Sequence, residues 1–303
     1  MKEVEKISHV KKSDVLLTIF TPTYNRGYVL GKLYESLCKQ TCFKFEWLIV
    51  DDGSEDDTSA KVKKWMKEND KFKIRYIYQN NQGKQLAFNT GVENCELEYF
   101  FCVDSDDYLT DNAVEEIYKI LPNIKEKRIA GIVALRGTDK NLPIGTQMPR
   151  KIRNSSLKEL YEVYGFKGDT ALIYKTCILK KHPFKIVENE KFIGENYVYD
   201  QIDEKYKMFL MNKIIYICSY LPDGYTKNTI NLLKKNPYSY MVMKKQSSRI
   251  SRKMRYKIKH MAGYIAMGLL KKEKKLIRKS GNPIIAIISY PVGILIYFVR
   301  FRE

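Results

Sequence analysis

The segment Tyr99-Phe100-Phe101-Cys102-Val103-Asp104-Ser105-Asp106-Asp107 runs from an apolar stretch straight into three carboxylates within four residues. Five apolar residues bounded by turn chemistry read as a buried strand. Three acids packed at its end would repel one another without a partner. Divalent cations, held by hard oxygen ligands, commonly take one or two carboxylates plus substrate phosphates. A helix N-cap is the plainer use of an aspartate, and a helix is predicted to open near Asp111-Asn112-Ala113. A cap needs only one acid, so both readings stay open on this segment alone.

Working upstream, Leu16 to Thr21 is strand-like and ends in Pro22-Thr23-Tyr24-Asn25-Arg26-Gly27. A helical pattern with Leu30, Leu33 and Leu37 on one face follows. Trp47-Leu48-Ile49-Val50 runs into Asp51-Asp52-Gly53-Ser54, and another helical stretch follows Asp56-Asp57-Thr58. Ile74 to Tyr78 leads to the polar loop Gln79-Asn80-Asn81-Gln82-Gly83-Lys84 and a helical segment around Leu86-Ala87-Phe88. Strand alternating with helix predicts an α/β fold with a parallel, doubly wound sheet. Ligands of such sheets bind beyond the carboxyl ends of the strands. Pro22 to Asn25, Asp51 to Ser54 and Asp104 to Asp107 all fall at such ends, which predicts one shared site.

These four stretches, in this order and at this spacing, resemble the nucleotide-binding half of family 2 glycosyltransferases with the GT-A (Rossmann-like) fold, of the bacterial cell-surface or capsular polysaccharide type. The resemblance covers about the first 120 residues. It implies that Asp104-Ser105-Asp106 stands where that family carries its metal-binding Asp-X-Asp. Pro22, Thr23 and Tyr24 would then line the base pocket, with the Tyr24 ring on the pyrimidine. Ring stacking tolerates any base, so Asp52 would supply selectivity by accepting a hydrogen bond from the base N–H. Asp104 would reach the ribose hydroxyls with Ser105 beside it. Asp106, with Asp104, would hold a manganese or magnesium ion bridging the phosphates. Gly83 and Lys84 would meet phosphate at a helix start, which favours anions in any case. Asp51 reads as a turn residue rather than a contact, and a surface lysine or core tyrosine is the ordinary fate of Lys84 and Tyr24.

The implied chemistry is a single, inverting displacement with one general base. Asn189 to Ile202 is predicted to open a helix, and the family's usual Glu-Asp pair is Glu195-Asn196 here. Glu195 is therefore the expected base, with Asp200 in reserve. An acid complementing a helix dipole is the bland alternative. Asp169, before the strand Leu172-Ile173-Tyr174, is a candidate to orient an acceptor hydroxyl or simply a turn residue.

Composition sets the outer limits. The chain has 303 residues, 44% of them hydrophobic, and a net charge of +19. Six cysteines show no paired spacing and three histidines no zinc pattern, which points to a reducing compartment. Met1 to Asp14 is charged and carries no apolar core of a leader. From Lys244 to Glu303 there are 16 Lys or Arg against two acids, so most of the excess charge lies there. The expected organisation is a GT-A catalytic domain over 1–236, its nucleotide-binding half at about 14–125 and acceptor half at about 126–236. A basic, mostly helical extension follows over 237–303. Its last apolar run, Pro283 to Val299, is at the short edge of a spanning helix, contains Pro291 and has basic flanks on both sides, against the usual bias. A membrane-surface helix or shallow re-entrant hairpin is expected, with anionic lipid attracting the basic clusters.

The reading from sequence is a metal-dependent transferase of a nucleotide-sugar donor, UDP-linked by preference. Its expected acceptor is a glycan or glycolipid on the cytoplasmic face of the cell membrane, attached peripherally or monotopically, with room for an oligomer. No nucleic-acid partner is expected: basic residues interleaved with aromatics suit one, but acidic strand ends repel phosphates without metal. A nucleotidylyltransferase would carry a Gly-rich, Arg-containing loop where Pro22-Thr23-Tyr24-Asn25-Arg26-Gly27 stands. A non-catalytic basic membrane- or nucleic-acid-binding protein on a degenerate GT-A scaffold is the alternative that Asn196 keeps open.

Overall fold

In a computed structural model the structure describes residues 14–219 and 229–302. The charged N-terminal segment read for a leader lies almost wholly outside them. The strands are β1 (Leu17–Thr23), β2 (Phe45–Asp51), β3 (Lys73–Tyr78), β4 (Tyr99–Cys102), β5 (Tyr108–Leu109), β6 (Ile129–Gly137), β7 (Asn154–Ser155), β8 (Thr170–Lys175) and β9 (Lys207–Ile217). The helices are α1 (Gly27–Cys38), α2 (Thr58–Glu68), α3 (Lys84–Glu93), α4 (Ala113–Ile120), α5 (Thr176–Leu179), α6 (Asn196–Asp203), α7 (Thr229–Lys235), α8 (Pro237–Ile250), α9 (Met254–Leu270), α10 (Leu276–Lys279) and α11 (Pro283–Ile296).

Two compact units result. The first holds residues 14–154, with Lys167–Lys181 and Met208–Ser219; the second holds Ser155–Phe166, His182–Lys207 and residues 229–302. The first unit is a mixed sheet in the order β3-β2-β1-β4-β8-β6-β9-β5. Strands β1 to β4 are parallel, as strand–helix alternation predicts. β8 runs antiparallel to β4 and to β6, and β5 pairs antiparallel with β9. The sheet is therefore doubly wound only across its first four strands. Beyond β4 the chain no longer inserts a crossover helix between neighbours, and antiparallel pairing needs none.

β1 and β2 are buried along their whole length, as strands covered on both faces must be. Leu30, Leu33 and Leu37 of α1 are fully buried against this core beside Trp47 and Ile49. Each such side chain contributes roughly 1.5–3 kcal/mol over its exposed state. The Trp47 indole N–H donates to Thr21 Oγ1 at 2.9 Å, so the largest core ring leaves no polar atom unpaired.

The second unit is helical. α8 and α9 form an antiparallel-style hairpin joined by Ser251–Lys253, and α11 packs along α9. Gly293 permits that approach: a Cβ there would lie 2.6 Å from Ile265 Cγ2. The apolar run at the C-terminus is helical from Pro283 to Phe301, 19 residues, and continues through Pro291. It is long and apolar enough to cross a membrane, yet it is also a packed helix. Ile285, Ala286, Ser289 and Gly293 face inward, while Ile284, Ile287, Ile288, Val292, Leu295 and Val299 form an exposed apolar stripe at helical spacing.

Candidate active site

Four chain segments meet at the carboxyl ends of β1, β2, β3 and β4 in the first unit. After β1, Asn25 takes the left-handed conformation (φ 52°), and its N–H donates to Ser54 Oγ at 2.8 Å. Asn25 Oδ1 in turn accepts the Glu55 N–H at 2.8 Å, which ties the first loop to the second. Tyr24, at the tip, is 46% exposed, unlike the buried Pro22 and Thr23 before it. An aromatic left in solvent among polar loops offers a free face for stacking.

Asp51 is structural, as expected: it accepts Ser54 N–H at 2.8 Å and the Tyr76 hydroxyl at 2.6 Å. Gly53 then turns with φ 88°, where a Cβ would meet Asn81 N at 2.9 Å. Asp52, between Asp51 and Gly53, is buried and organises the third loop. Its Oδ1 accepts from Gln79 Nε2 at 2.7 Å and Gln82 N at 3.0 Å, and its Oδ2 from Gly83 N at 2.7 Å. Gly83, at φ 99°, delivers the chain into α3. Around these loops Thr23 Oγ1, Gln79 Oε1 and Gln85 Oε1 are buried with no hydrogen-bond partner among the described residues. Buried polar atoms are normally paired, so a ligand with polar edges fits here.

At β4 the acidic triplet divides its labour. Lys84 Nζ lies 2.7 Å from Asp104 Oδ1. Burial would raise the Asp104 carboxyl, but Lys84 and Arg136 hold it below the usual carboxylate range. Burial pushes Asp106 up, and the charge of Asp104 pushes it further, against the pull of Arg26 and Lys84. Asp107 is buried and pushed up to about 6, by burial first and by Asp104 second. The Tyr216 hydroxyl braces this turn: it donates to Asp107 Oδ2 at 2.7 Å and accepts the Asp104 N–H at 3.0 Å. Ser219 N–H donates to Asp107 Oδ1 at 2.7 Å. Arg136 lies 4.0 Å from the centre of the Tyr216 ring.

A divalent cation fits Asp104 and Asp106. Burial raises Asp106 first and repulsion from Asp104 raises it further, and a cation between the two would relieve that repulsion. Among the described residues no group of three or more His, Cys, Asp or Glu is arranged to hold a metal. The remaining ligands would therefore come from substrate phosphates, which is the usual magnesium arrangement.

The structure thus brings together Pro22, Thr23, Tyr24, Asp52, Gly83, Lys84, Asp104, Ser105 and Asp106 on one sheet edge of the first unit. Asp169 is exposed at the start of β8 in that unit, and its carbonyl accepts the Arg136 N–H at 3.4 Å. Glu195 and Asp200 belong to the second unit. Glu195 is half-buried at the N-cap of α6, as the helix start predicted. Asp200 is buried and pushed up by that burial, with Lys158 Nζ 3.1 Å from Oδ1 and Ser247 Oγ donating to Oδ2 at 2.5 Å.

Arg26, Arg136, Asp107 and Tyr216 also lie at this acidic turn, and sequence reading gave them no role. Arg26 and Asp107 stood inside quoted motifs and could have been raised from them. Tyr216, one of 23 tyrosines, and Arg136 carry no local signal, because Tyr216 reaches the acidic turn through the pairing of β9 with β5 just after it, and Arg136 comes from β6, separated from β4 by β8.

Comparison with known proteins bears on this geometry. The family model described as "Glycosyl transferase family 2" matches residues 18–184. Glycosyltransferase GlyA of Streptococcus pneumoniae is 39% identical over 106 residues, 35% of this chain and 15% of its own length. Poly(ribitol-phosphate) β-N-acetylglucosaminyltransferase TarP of Staphylococcus aureus is 23% identical over 201 residues, 65% of this chain and 58% of its own length. The chain therefore spans less than two thirds of these relatives. Among solved structures, S. aureus TarS residues 1–349 in complex with UDP-GlcNAc superposes with a TM-score of 0.55 at 17% identity, covering 93% of this chain and 91% of that one. The mannosyltransferase PcManGT of Pyrobaculum calidifontis, in complex with GDP-Man and Mn2+, gives 0.54 at 13% identity, covering 99% and 92%. These likenesses fix the fold as GT-A.

Proposed function

The chain belongs to glycosyl transferase family 2, and we propose on that footing that it moves a sugar from a UDP-sugar to an acceptor hydroxyl with inversion. The observation that carries the reading is the sheet edge where an exposed Tyr24, the Asp52-braced loop and the Asp104–Asp106 pair converge, with three buried polar atoms left for a ligand. Tyr24 packs on the base and Asp52 accepts from its N–H. Lys84, at the start of α3, shifts between Asp104 and the diphosphate. Asp104 takes the ribose. Asp106 and Asp104 would hold manganese or magnesium, which would supply Lewis-acid stabilisation of the leaving diphosphate. Glu195 takes the proton of the attacking hydroxyl, and Asp169 orients the acceptor. Inversion needs no covalent sugar intermediate.

The acceptor is a glycan or lipid-linked glycan of surface polymer synthesis, a reading supported by the bacterial relatives and by the apolar stripe on α11. That stripe, with exposed Lys271, Lys272, Lys274, Lys275, Arg278 and Lys279 before it, suits the cytoplasmic face of a membrane rich in anionic lipid.

Calorimetric titration with UDP, with and without manganese, followed by a UDP-sugar panel scored for slow hydrolysis, tests the donor. Metal-dependent binding that Asp106→Ala abolishes is expected; UDP binding indifferent to both would overturn the site. For the base, Glu195→Gln should stop turnover while donor affinity stays within a few-fold. Unchanged turnover would remove Glu195 from the role.

A further inference from the structure

The second unit contains a cleft of about 510 Å³ that the proposed reaction does not use. Lys158, Asp203, Glu204, Arg249, Arg252 and Lys257 supply its charged lining, with Ser251 and Ile250. Four cations face two acids, and the acids are largely occupied. Asp203 is buried, turned to accept the backbone N–H groups of Leu157 and Lys158 at 2.9 and 2.6 Å, and pushed up to about 7 by that burial. A carboxyl so placed is only partly charged near neutral pH and offers little to a cation in the cleft. Glu204 pairs with Arg249. Lys158 pairs with Asp200 at 3.1 Å and with Glu162 at 3.9 Å on its inner side.

Arg252 and Lys257 are thus left with no acidic partner among the described residues. Their backbones are held: Glu162, buried under the hairpin, accepts the Ser251 hydroxyl at 2.9 Å and the Arg252 N–H at 2.7 Å, and the Lys257 carbonyl accepts the Ser248 hydroxyl at 2.8 Å. Lys244 and Lys259 stand nearby, while the buried acids Asp200 and Glu162 offset Lys158. Burial, then Lys259 and Lys158, lower Lys244 to about 8, and His260 is kept uncharged by burial and by the same lysines. Proteins seldom gather cations around a cleft without an anion to meet them, because self-repulsion destabilises the fold. An arginine and lysines at such a site match phosphate oxygens, the arginine in a two-point fork.

We propose that this cleft binds a phosphate group, with Arg252 and Lys257 as its principal ligands and Lys158 at its floor. The cleft has room for more than one phosphate, so a phosphodiester or diphosphate suits it as well as a monoester. The group would come either from a lipid headgroup or from a phosphate free of membrane. This inference stands apart from the donor reading, since it uses none of the strand-end residues.

The test is titration of the full chain at low salt with inorganic phosphate and pyrophosphate, and sedimentation with phosphatidylglycerol or phosphatidylcholine vesicles. Three variants are compared with the native protein: Arg252→Glu with Lys257→Glu, Arg255→Glu as an exposed charge control outside the cleft, and Asp106→Ala. Reversing both cleft charges should weaken binding at least about tenfold, since two attractive pairs become repulsive, while Arg255→Glu and Asp106→Ala leave it within about twofold. If inorganic phosphate or pyrophosphate shows that pattern, the site takes free phosphate groups. If only phosphatidylglycerol vesicles show it, the site is for headgroups. Absence of binding in every arm, or equal loss in the Arg255→Glu control, overturns the proposal. Loss of UDP binding in Asp106→Ala with phosphate binding intact would keep the two readings separate.

Discussion

Changing Tyr216 to Phe removes one oxygen and two hydrogen bonds at the base of the acidic turn. One is the 2.7 Å donation to Asp107 Oδ2, the other the 3.0 Å acceptance of the Asp104 N–H. The ring is fully buried, so water does not replace the lost hydroxyl. A hydrogen bond to an ionised carboxylate is worth about 1.5–3 kcal/mol, and one to its protonated form about 0.5–1.5 kcal/mol. The difference, about 1.4 kcal/mol, corresponds to roughly one pH unit in the Asp107 pKa. In the native protein that carboxyl stands at about 6, above its ordinary value of about 3.9 in an unfolded chain. A raised carboxyl favours the folded state at low pH, and that contribution is lost as pH rises through the folded value. The variant should carry Asp107 near ~7 by the same conversion and lose more on ionisation. Tyr216→Phe should therefore be destabilised at pH 8 by about 1.4 kcal/mol more than at pH 5. Urea unfolding of both proteins at the two pH values measures this. Equal destabilisation at both, or a larger loss at pH 5, would refute the account of Asp107 as a carboxyl held ionised by Tyr216.

Other outcomes follow from single contacts. Lys84→Met strips Asp104 of its 2.7 Å partner, and UDP affinity should fall about tenfold, a loss of about 1.4 kcal/mol, read by calorimetry. Gly53→Ala forces a side chain onto φ 88° and within 2.9 Å of Asn81 N; a stability loss of about 1–3 kcal/mol is expected in denaturant melts, and a neutral result would mean the loop yields freely. Ile287→Glu with Leu295→Glu should move the protein from vesicle pellets to supernatant without changing its helical circular dichroism, whereas continued pelleting would place lipid contact elsewhere.

The parallel part of the fold was readable because β1, β2 and β4 are buried on both faces and write themselves as apolar runs that end in turn residues. Pro22 to Asn25, Asp51 to Ser54 and Asp104 to Asp107 could be gathered into one site because parallel strands bring all their carboxyl ends to one edge. The antiparallel half was less legible. β9 carries Lys207, Asn212 and Lys213 among its apolar residues, and its contribution through Tyr216 depends on a register no local pattern encodes. The pairing of Lys84 with Asp104 also escaped, since either residue alone suggested a ligand contact. In the second unit, Asp200 stood in reserve as the base, yet a partner 42 residues earlier, Lys158, and another 47 later, Ser247, close over it. Such long-range closure is invisible to spacing.

The glycine contacts of α11 bear on how the protein would leave a membrane. With Gly293 seated on Ile265 of α9, and Ile285, Ala286 and Ser289 buried beside it, one side of the apolar run is already solvated by protein. Crossing a bilayer would require peeling α11 off α9 and leaving that inner surface bare. A helix fixed this way meets lipid along its outer edge alone and to a shallow depth, so attachment would lean on the neighbouring lysines as much as on the stripe. Such a protein should be washed from membranes by salt or alkaline carbonate, whereas an inserted span would come away only with detergent.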